Sequence, residues 1–201
     1  MISSARLRYF LEADRISLNA KGKRPRLIGD DIWKYQRALR FHEYWTAKPG
    51  SLWTFLPRFF WRYRYYRLGL LLNFEIPPFV VGPGLSLAHR GPVIINPHVR
   101  IGKNCRIHSC VNIGTAAGTQ DQAPNIGDNC YLGPGAKLFG AISIAHGTAI
   151  AAQAVVNRSC DQENVTLGGI PARIISNKGA QPYLIDGAGQ AQIRPTKKSQ
   201  K

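Results

Sequence analysis

Histidine and cysteine are the side chains of this sequence that can react or exchange protons near neutral pH. The chain has 5 His and 4 Cys. The cysteines show neither a CxxC spacing nor a Cys/His pattern typical of zinc sites: they are Cys105, Cys110, Cys130 and Cys160. We therefore expect no bound metal. Acid–base chemistry remains, because a neutral imidazole can take the proton of a hydroxyl group during its attack on an acyl carbon.

A six-residue repeat of apolar side chains must position any such site. Branched aliphatic residues recur every six positions in two series: Ile95, Ile101, Ile107, Ile113, and then Ile126, Leu132, Leu138, Ile144, Ile150, Val156. A period of six fits neither an α-helix nor a two-faced sheet. We predict that each hexad is a short strand and a turn, and that three hexads make one triangular coil. One coil cannot bury its own apolar side, so only a stack of coils is stable.

A second inward position follows each aliphatic residue by four places. It holds small or branched residues: Val99, Cys105, Val111, Ala117, Cys130, Ala136, Ile142, Thr148, Ala154 and Cys160. Three of the four cysteines occupy this position, so we interpret them as packing residues, while Cys110 is out of phase. The two series are separated by 13 residues, from Ile113 to Ile126, which predicts a loop over residues 115–125 that leaves the coil.

The histidines divide by their place in this pattern. His98, His108 and His146 fall outside the inward positions of the hexads, so we expect them to be exposed, and His42 lies in the region before the repeat. The repeat alone gives His89 no role beyond that of a solvated turn residue.

The region before the repeat predicts two helices. The segment 30–47 begins with a possible capping pair, Asp30 and Asp31, carries apolar residues at helical spacing, and ends before Pro49 and Gly50. The segment 53–72 has eight aromatic residues. On a helix, one face would collect Phe55, Phe59, Tyr63, Tyr66 and Leu70, and four arginines accompany it: Arg58, Arg62, Arg64 and Arg67. This helix could pack on the main domain or a sister subunit, or lie on an anionic membrane.

Composition limits the class of protein. The chain has 201 residues, 44% of them hydrophobic, which excludes a wholly disordered chain. A net charge of +16 implies an anionic partner: nucleic acid, a phospholipid surface or a phosphorylated ligand. No nucleic-acid-binding module accompanies the charge, so we expect no nucleic acid. The sequence shows no secretory signal and no membrane-spanning segment, and we expect a cytoplasmic protein, at most peripheral at the inner face of the membrane.

Several segments resemble the hexapeptide acyltransferases, and within them the serine acetyltransferase family, especially its short members from capsular and exopolysaccharide gene clusters. The segments are Phe74–Pro78, Gly82–Pro97, Ile126–Asn129, Gly133–Lys137 and Gly169–Arg173. The resemblance implies a mainly β protein, a left-handed parallel β-helix that assembles into homotrimers and uses acetyl-CoA. We divide the chain into a helical region over 1–73, the β-helix over 74–176 and a flexible tail over 177–201.

The resemblance also implies site residues. His89 matches the histidine base, and Glu75 is the candidate acidic partner that orients it. Two arginines, Arg158 and Arg173, match basic positions near the phosphates of CoA. The family pattern places four residues along the pantetheine arm of CoA: Gly114, Thr115, Pro134 and Ala152.

The sequence departs from the family at the residues expected to bind the acceptor. Serine acetyltransferases have Asp directly before the catalytic histidine and an Arg-His pair in the extruded loop, whereas this chain has Ala88 and Gln122-Ala123. Partners for the charges of a free amino acid are therefore missing. We favour O-acetylation of a saccharide hydroxyl, free or lipid-linked, in capsule or exopolysaccharide biosynthesis. L-Serine of cysteine biosynthesis is the alternative acceptor, and a non-catalytic scaffold is the alternative from another class.

Overall fold

The computed structural model describes residues 3–193. Three helices precede the repeat: α1 (Ser4–Ser17), α2 (Asp31–Thr46) and α3 (Leu52–Leu72). Helix α1 was not separately predicted, and α2 and α3 lie where the sequence places them. Asp30 does not cap α2 with its side chain, which instead accepts hydrogen bonds from Arg26, while Ser51 and Thr54 form a capping box that begins α3. Within residues 3–193, no helix has the length and hydropathy needed to cross a bilayer.

The repeat forms short strands in three sheets over the described chain. Sheet A contains β1 (Phe74–Glu75), β3 (Val93–Ile95), β6 (Val111–Gly114), β9 (Lys137–Phe139) and β12 (Val155–Val156). Sheet B contains β4 (Arg100–Ile101), β7 (Asn125–Ile126) and β10 (Ser143–Ile144). Sheet C contains β2 (Ser86–Leu87), β5 (Arg106–Ile107), β8 (Tyr131–Leu132), β11 (Ala149–Ile150) and β13 (Thr166–Gly169), with the antiparallel β14 (Ala172–Ser176) at its edge.

The chain visits the sheets in the order A, B, C, and every pairing between successive coils is parallel. Ile95 pairs with Ile113, and Ile107 pairs with Leu132, so each coil places its aliphatic residues over those of the coil before. All ten aliphatic residues of the predicted series are buried. This confirms three hexads per coil.

The second inward position is buried at nine of its ten predicted residues. The exception is Ala117, which is exposed. It lies in an irregular segment between β6 and β7, so the coil has already been left when Ala117 is reached. The predicted loop is therefore present, and the inward pattern of the first series ends at Ile113, one inward position before Ala117.

A buried ionic cluster joins the helices to the first coil. Arg40, 1% exposed, donates to the carboxylates of Asp14 on α1 and Glu43 on α2, and to the carbonyl oxygens of Val81 and Gly82. Asp14 also accepts from the amides of Gly84 and Leu85, and Glu43 accepts from that of Phe79. Buried charges are stable only when paired in this way. The cluster therefore fixes α1 and α2 against the β-helix.

The segment after β14 was predicted to be flexible, and its first part is instead folded. Residues Gln181–Tyr183 form a 3₁₀ turn, and Gly187–Ile193 form helix α4, which packs on α1. Gly187 lies so close to α1 that a Cβ there would collide with the carbonyl oxygen of Ala13. Composition did not reveal this contact, because small Gly and Ala residues here allow close packing. Residues 194–201 of the predicted tail lie outside the described residues.

The same segment runs back along one corner of the β-helix. The amide of Ala180 donates to the carbonyl oxygen of Gly147, in the fourth coil. The buried side chain of Asn104, in the second coil, donates to Asp186 and accepts from the amide of Ala188. The Ser17 hydroxyl of α1 donates to the carbonyl oxygen of Ile185. Residues 177–193 are therefore a strap that returns from the last coil to the first helix.

Candidate active site

His89 lies at the corner where the chain passes from sheet C to sheet A. The register of sheet C aligns Leu87, Ile107, Leu132 and Ile150 in successive coils. Counting two residues onward in each coil, His89 shares its position with Ser109, Pro134 and Ala152. His89, Pro134 and Ala152 are exposed. The structure therefore places the predicted base and two of the predicted CoA residues along one edge.

A second histidine stands next to His89. The ring centroid of His108 lies 5.5 Å from that of His89. On its other side, His108 packs edge-on against Tyr131, with the centroids 5.0 Å apart. Tyr131 in turn lies 4.8 Å from Tyr183 of the strap. These four rings form a row on the outside of sheet C, which we call the ring row.

The ring row explains the environment of His108. Burial lowers the pKa of His108, and Arg106 and His89 lower it further. The side chain is half-buried, whereas the sequence predicted an exposed one. The hexad phase gave the outward direction correctly, but it could not show that rings from neighbouring coils would cover an outward residue. His98 and His146 are exposed, as predicted.

Among residues 3–193, Glu75 forms no hydrogen bond or ion pair with His89. It lies on β1, where it pairs with Ile94, and it lines an open depression of about 480 Å³ with Tyr66, Leu70 and Pro92. Its role as the orienting partner stays a prediction.

A second depression adjoins the corner that carries His89. Its volume is about 440 Å³, and its walls come from the α1–α2 connection, the first turn of α2 and the two residues before His89. Ala88, Leu87 and Trp33 give it an apolar side, and Asp30 and Arg26 give it a charged side. Such a mixture of apolar wall and few polar groups is typical of small-molecule sites.

The remaining predicted CoA residues lie at other places. Gly114 ends β6, and Thr115 begins the loop at the corner between sheets A and B. Arg158 is exposed at the same kind of corner in the last coil, and Arg173 is exposed on β14. The structure therefore distributes the predicted residues over two corners that bound sheet A and over the terminal hairpin.

The three cysteines inside the coil are buried, so they are not candidate nucleophiles beside His89. Cys105, Cys130 and Cys160 are buried and Cys110 is exposed, and all four are free thiols. A hydrogen bond with Cys130, together with burial, raises the pKa of the Cys105 thiol. Among the described residues, no group of three or more His, Cys, Asp and Glu side chains could hold a metal ion.

Sequence reasoning missed one ion pair beside the site. Arg90, next to His89, donates to Asp31 at the start of α2 over 2.6 Å. Asp31 also contacts Lys34. No sequence motif predicts this ion pair, because Arg90 and Asp31 are 59 residues apart. It ties the corner of His89 to the helical region.

Known proteins of similar sequence are serine acetyltransferases. The enzyme of Synechococcus elongatus is 32% identical over 119 residues, which cover 58% of this chain and 48% of that protein. The enzyme of Staphylococcus xylosus is 35% identical over 100 residues, 49% of this chain and 46% of that protein. The chain thus spans about half the length of the curated relatives it matches. No protein-family model matches it.

Solved structures agree in fold. Serine acetyltransferase from Brucella abortus gives a TM-score of 0.60 at 27% identity, covering 87% of this chain and 69% of that chain. A structure of the Brucella abortus enzyme in complex with coenzyme A gives 0.61 at 27% identity, with coverage of 88% and 68%. The predicted mainly β fold, a left-handed parallel β-helix with an N-terminal helical segment, is confirmed. In sequence and in fold, the chain resembles the serine acetyltransferase family of hexapeptide-repeat acyltransferases.

Proposed function

We propose that the protein is an acetyl-CoA-dependent O-acetyltransferase with His89 as its general base. The observation that carries the proposal is the single edge shared by His89, Pro134 and Ala152, in a fold that resembles the serine acetyltransferases. A related solved structure is a complex with coenzyme A. The alternative of a non-catalytic scaffold gives His89 no role.

The chemistry follows from the side chains. The neutral imidazole of His89 takes the proton of an acceptor hydroxyl as the hydroxyl oxygen attacks the thioester carbon. The new C–O bond forms, the C–S bond breaks, and the imidazolium returns its proton to the CoA sulfur. Glu75 would stabilise the imidazolium if it approaches His89 in the substrate complex.

Acetyl-CoA would lie along the edge that begins at His89. Pro134 and Ala152 would contact the pantetheine arm, and Arg158 and Arg173 would bind the phosphates through their guanidinium groups. Gly114 and Thr115 lie at the neighbouring corner. The predicted homotrimer would bring the corners of adjacent chains together, so that one groove could contain both sets, and we include it in the proposal.

L-Serine is the first acceptor to test, because the similar proteins carry the name serine acetyltransferase. A saccharide is the second, and a specific observation favours it. Ala88 and Leu87 give the depression beside His89 an apolar wall, where the family has an aspartate before the histidine. Asp30 is the one carboxylate among the residues that line this depression, and it is already paired with Arg26. The ammonium of serine would compete for that carboxylate, whereas a sugar hydroxyl needs no counter-charge.

The setting we propose is the cytoplasm, with peripheral attachment at the inner face of the membrane. Net charge is the support for this placement, since +16 favours an anionic surface. No step of the chemistry depends on it.

The experiment is a screen in which the purified chain is mixed with acetyl-CoA and one acceptor: L-serine, a nucleotide sugar or an oligosaccharide. The reaction is measured by the loss of thioester absorbance and by the mass of the product. We expect acetyl transfer to one class, and His89→Ala should lower turnover at least about 10²-fold. Glu75→Gln should cost less than His89→Ala, because Glu75 does not itself take the proton. Equal turnover by wild type and His89→Ala would remove His89 from the mechanism.

A further inference from the structure

Helix α3 has a face that no described residue covers. Its large side chains are 48% to 89% exposed: Leu52, Trp53, Phe55, Leu56, Phe59, Phe60, Tyr63, Tyr66, Leu70 and Leu71. They include all five residues predicted to share a helical face. Monomeric soluble proteins rarely expose so many contiguous apolar side chains without a partner. We call this set the outer face of α3.

The opposite side of α3 is already occupied. Trp61 stacks on Phe41 of α2 with the ring centroids 4.2 Å apart, and the Tyr65 hydroxyl donates to the carbonyl oxygen of Ile76. Gly69 and Leu72 are buried. The helix is therefore fixed in rotation, and the exposure of its outer face is not the result of a loosely packed helix.

The charge on α3 has one sign. Residues 52–72 contain four arginines and no Asp or Glu. Arg58 is engaged, because it donates to the carbonyl oxygens of Trp45 in the last turn of α2 and of Lys48 in the α2–α3 connection. Arg62, Arg64 and Arg67 are exposed and flank the aromatic side chains. Three cations are thus available to an outside partner, rather than the four expected from the sequence.

This charge argues against a two-fold contact with a second copy as the cover of the outer face. In a two-fold symmetric contact the same surface meets itself. The outer face would then bring arginines against arginines with no carboxylate between them, which is unfavourable as they lose water. An aromatic belt with flanking arginines instead fits the headgroup region of a bilayer, where rings lie at the interface and guanidinium groups meet phosphate.

We propose that the outer face of α3 docks on the surface of a bilayer that contains anionic phospholipid. The helix would lie in the plane of the interface, with its aromatic side chains among the headgroups and Arg62, Arg64 and Arg67 bound to lipid phosphates. In this proposal, α3 is the helix that attaches the protein to the membrane, and anionic phospholipid is the lipid that it binds.

Docking would also orient the candidate active site. Tyr66 and Leu70 belong both to the outer face and to the depression that contains Glu75. At the end of α3, the carbonyl oxygen of Leu72 accepts from the amide of Gly91, two residues after His89. The corner that carries His89 would therefore be held near the membrane surface. This orientation rests on the proposed function, whereas docking itself does not.

The experiment is co-sedimentation of the full chain with phosphatidylcholine vesicles, with and without phosphatidylglycerol, at low and high salt. We expect binding only to the anionic vesicles and release at high salt. Replacing Arg62, Arg64 and Arg67 together by Gln should weaken binding at least about tenfold. Phe55→Ser combined with Phe59→Ser should also weaken it, because the apolar contribution is lost. Far-ultraviolet circular dichroism confirms that each variant folds.

The matched control replaces three basic residues of the α1–α2 connection by Gln: Lys21, Lys23 and Arg24. This control makes the same change in net charge as the triple arginine variant. Because its residues do not belong to α3, it should retain vesicle binding within about threefold. An equal loss in the control would show attraction to net charge alone and would overturn the proposal. So would wild type that ignores anionic vesicles at low salt, or a change of oligomeric state caused by Phe55→Ser and Phe59→Ser. Acetyl transfer is measured without vesicles, so failure of the proposed function is seen separately.

Discussion

The ring of His108 lies 5.5 Å from the ring of His89, and the two histidines come from adjacent coils of the same sheet. An imidazole whose pKa is lowered by burial, by Arg106 and by His89 stays neutral beside the candidate base. A neutral neighbour does not repel the positive charge that His89 acquires when it takes a proton. His108 therefore supports His89 as the candidate base without itself becoming charged at neutral pH.

The lowered pKa of His108 has a consequence for stability. His108 binds a proton less readily in the folded protein than in the unfolded chain, where its pKa is about 6.5. This difference in pKa adds to the free energy of unfolding above that pH, and the added stability is lost as the pH falls through the pKa of the folded state. His108→Gln should therefore lose less stability than wild type between neutral and mildly acidic pH. Urea unfolding at the two pH values measures the difference. Replacing the exposed His98 by Gln is the control, and a matching effect there would contradict the prediction.

Removal of Arg40 should be strongly destabilising. Arg40→Met leaves the buried carboxylates of Asp14 and Glu43 without their shared cation, at a cost of about 3–5 kcal/mol in the free energy of unfolding. Burial already raises the pKa of Asp14, although Arg40 lowers it. A raised carboxyl pKa means that protonation favours the folded state, so the loss relative to wild type should shrink as the pH falls. A loss that is equal at neutral and acidic pH would show that the cost is packing alone.

Adjacent residues of one strand test the inward phase. Ile144 is buried and Ser143 is exposed, and both belong to β10. Ile144→Asp buries an unpaired charge and should prevent folding, whereas Ser143→Asp should change stability by only about 0.5 kcal/mol. Circular dichroism and soluble yield provide the comparison. Similar behaviour of the two variants would refute the assignment of inward and outward positions.

Thiol labelling tests the burial of the cysteines. Under native conditions we expect one fast-reacting thiol, Cys110, because the other three are buried in the coils. Cys110→Ser should remove the fast reaction, and denaturant should then expose the three remaining thiols. Fast labelling of a second thiol in the native protein would contradict the burial of the inward column.

The parts of the fold that could be predicted follow from periodicity. Ile95 and Ile144 lie inward because a constant spacing of six carries the phase through the stack. The parts that could not be predicted depend on contacts between distant residues. Arg40 looks like a solvated residue of an amphipathic helix, and its burial requires Asp14, 26 residues away. Ala117 keeps the spacing but not the coil, since spacing alone cannot tell where a loop begins.

The candidate site divides in the same way. The position of His89 on this edge could be predicted, because the segment that resembles the family and contains His89 leads into the six-residue repeat. The ring row could not, since Tyr183 reaches Tyr131 only through the fold of the strap, and glycine-rich composition predicted no order there. Glu75 was chosen by its place in the sequence, and sequence spacing does not fix the distance between a carboxylate and an imidazole on different strands.

The strap changes how the β-helix can come apart. A stack of coils in which each contacts only its neighbours can unravel from either end, with its stability a sum of local terms. Here Ala180 is bonded to the fourth coil, Asp186 and Ala188 to the second, and Ile185 to the first helix. The last coil therefore cannot fray without releasing the strap from α1. The two ends of the stack are coupled, which favours one cooperative unfolding transition over stepwise loss of coils.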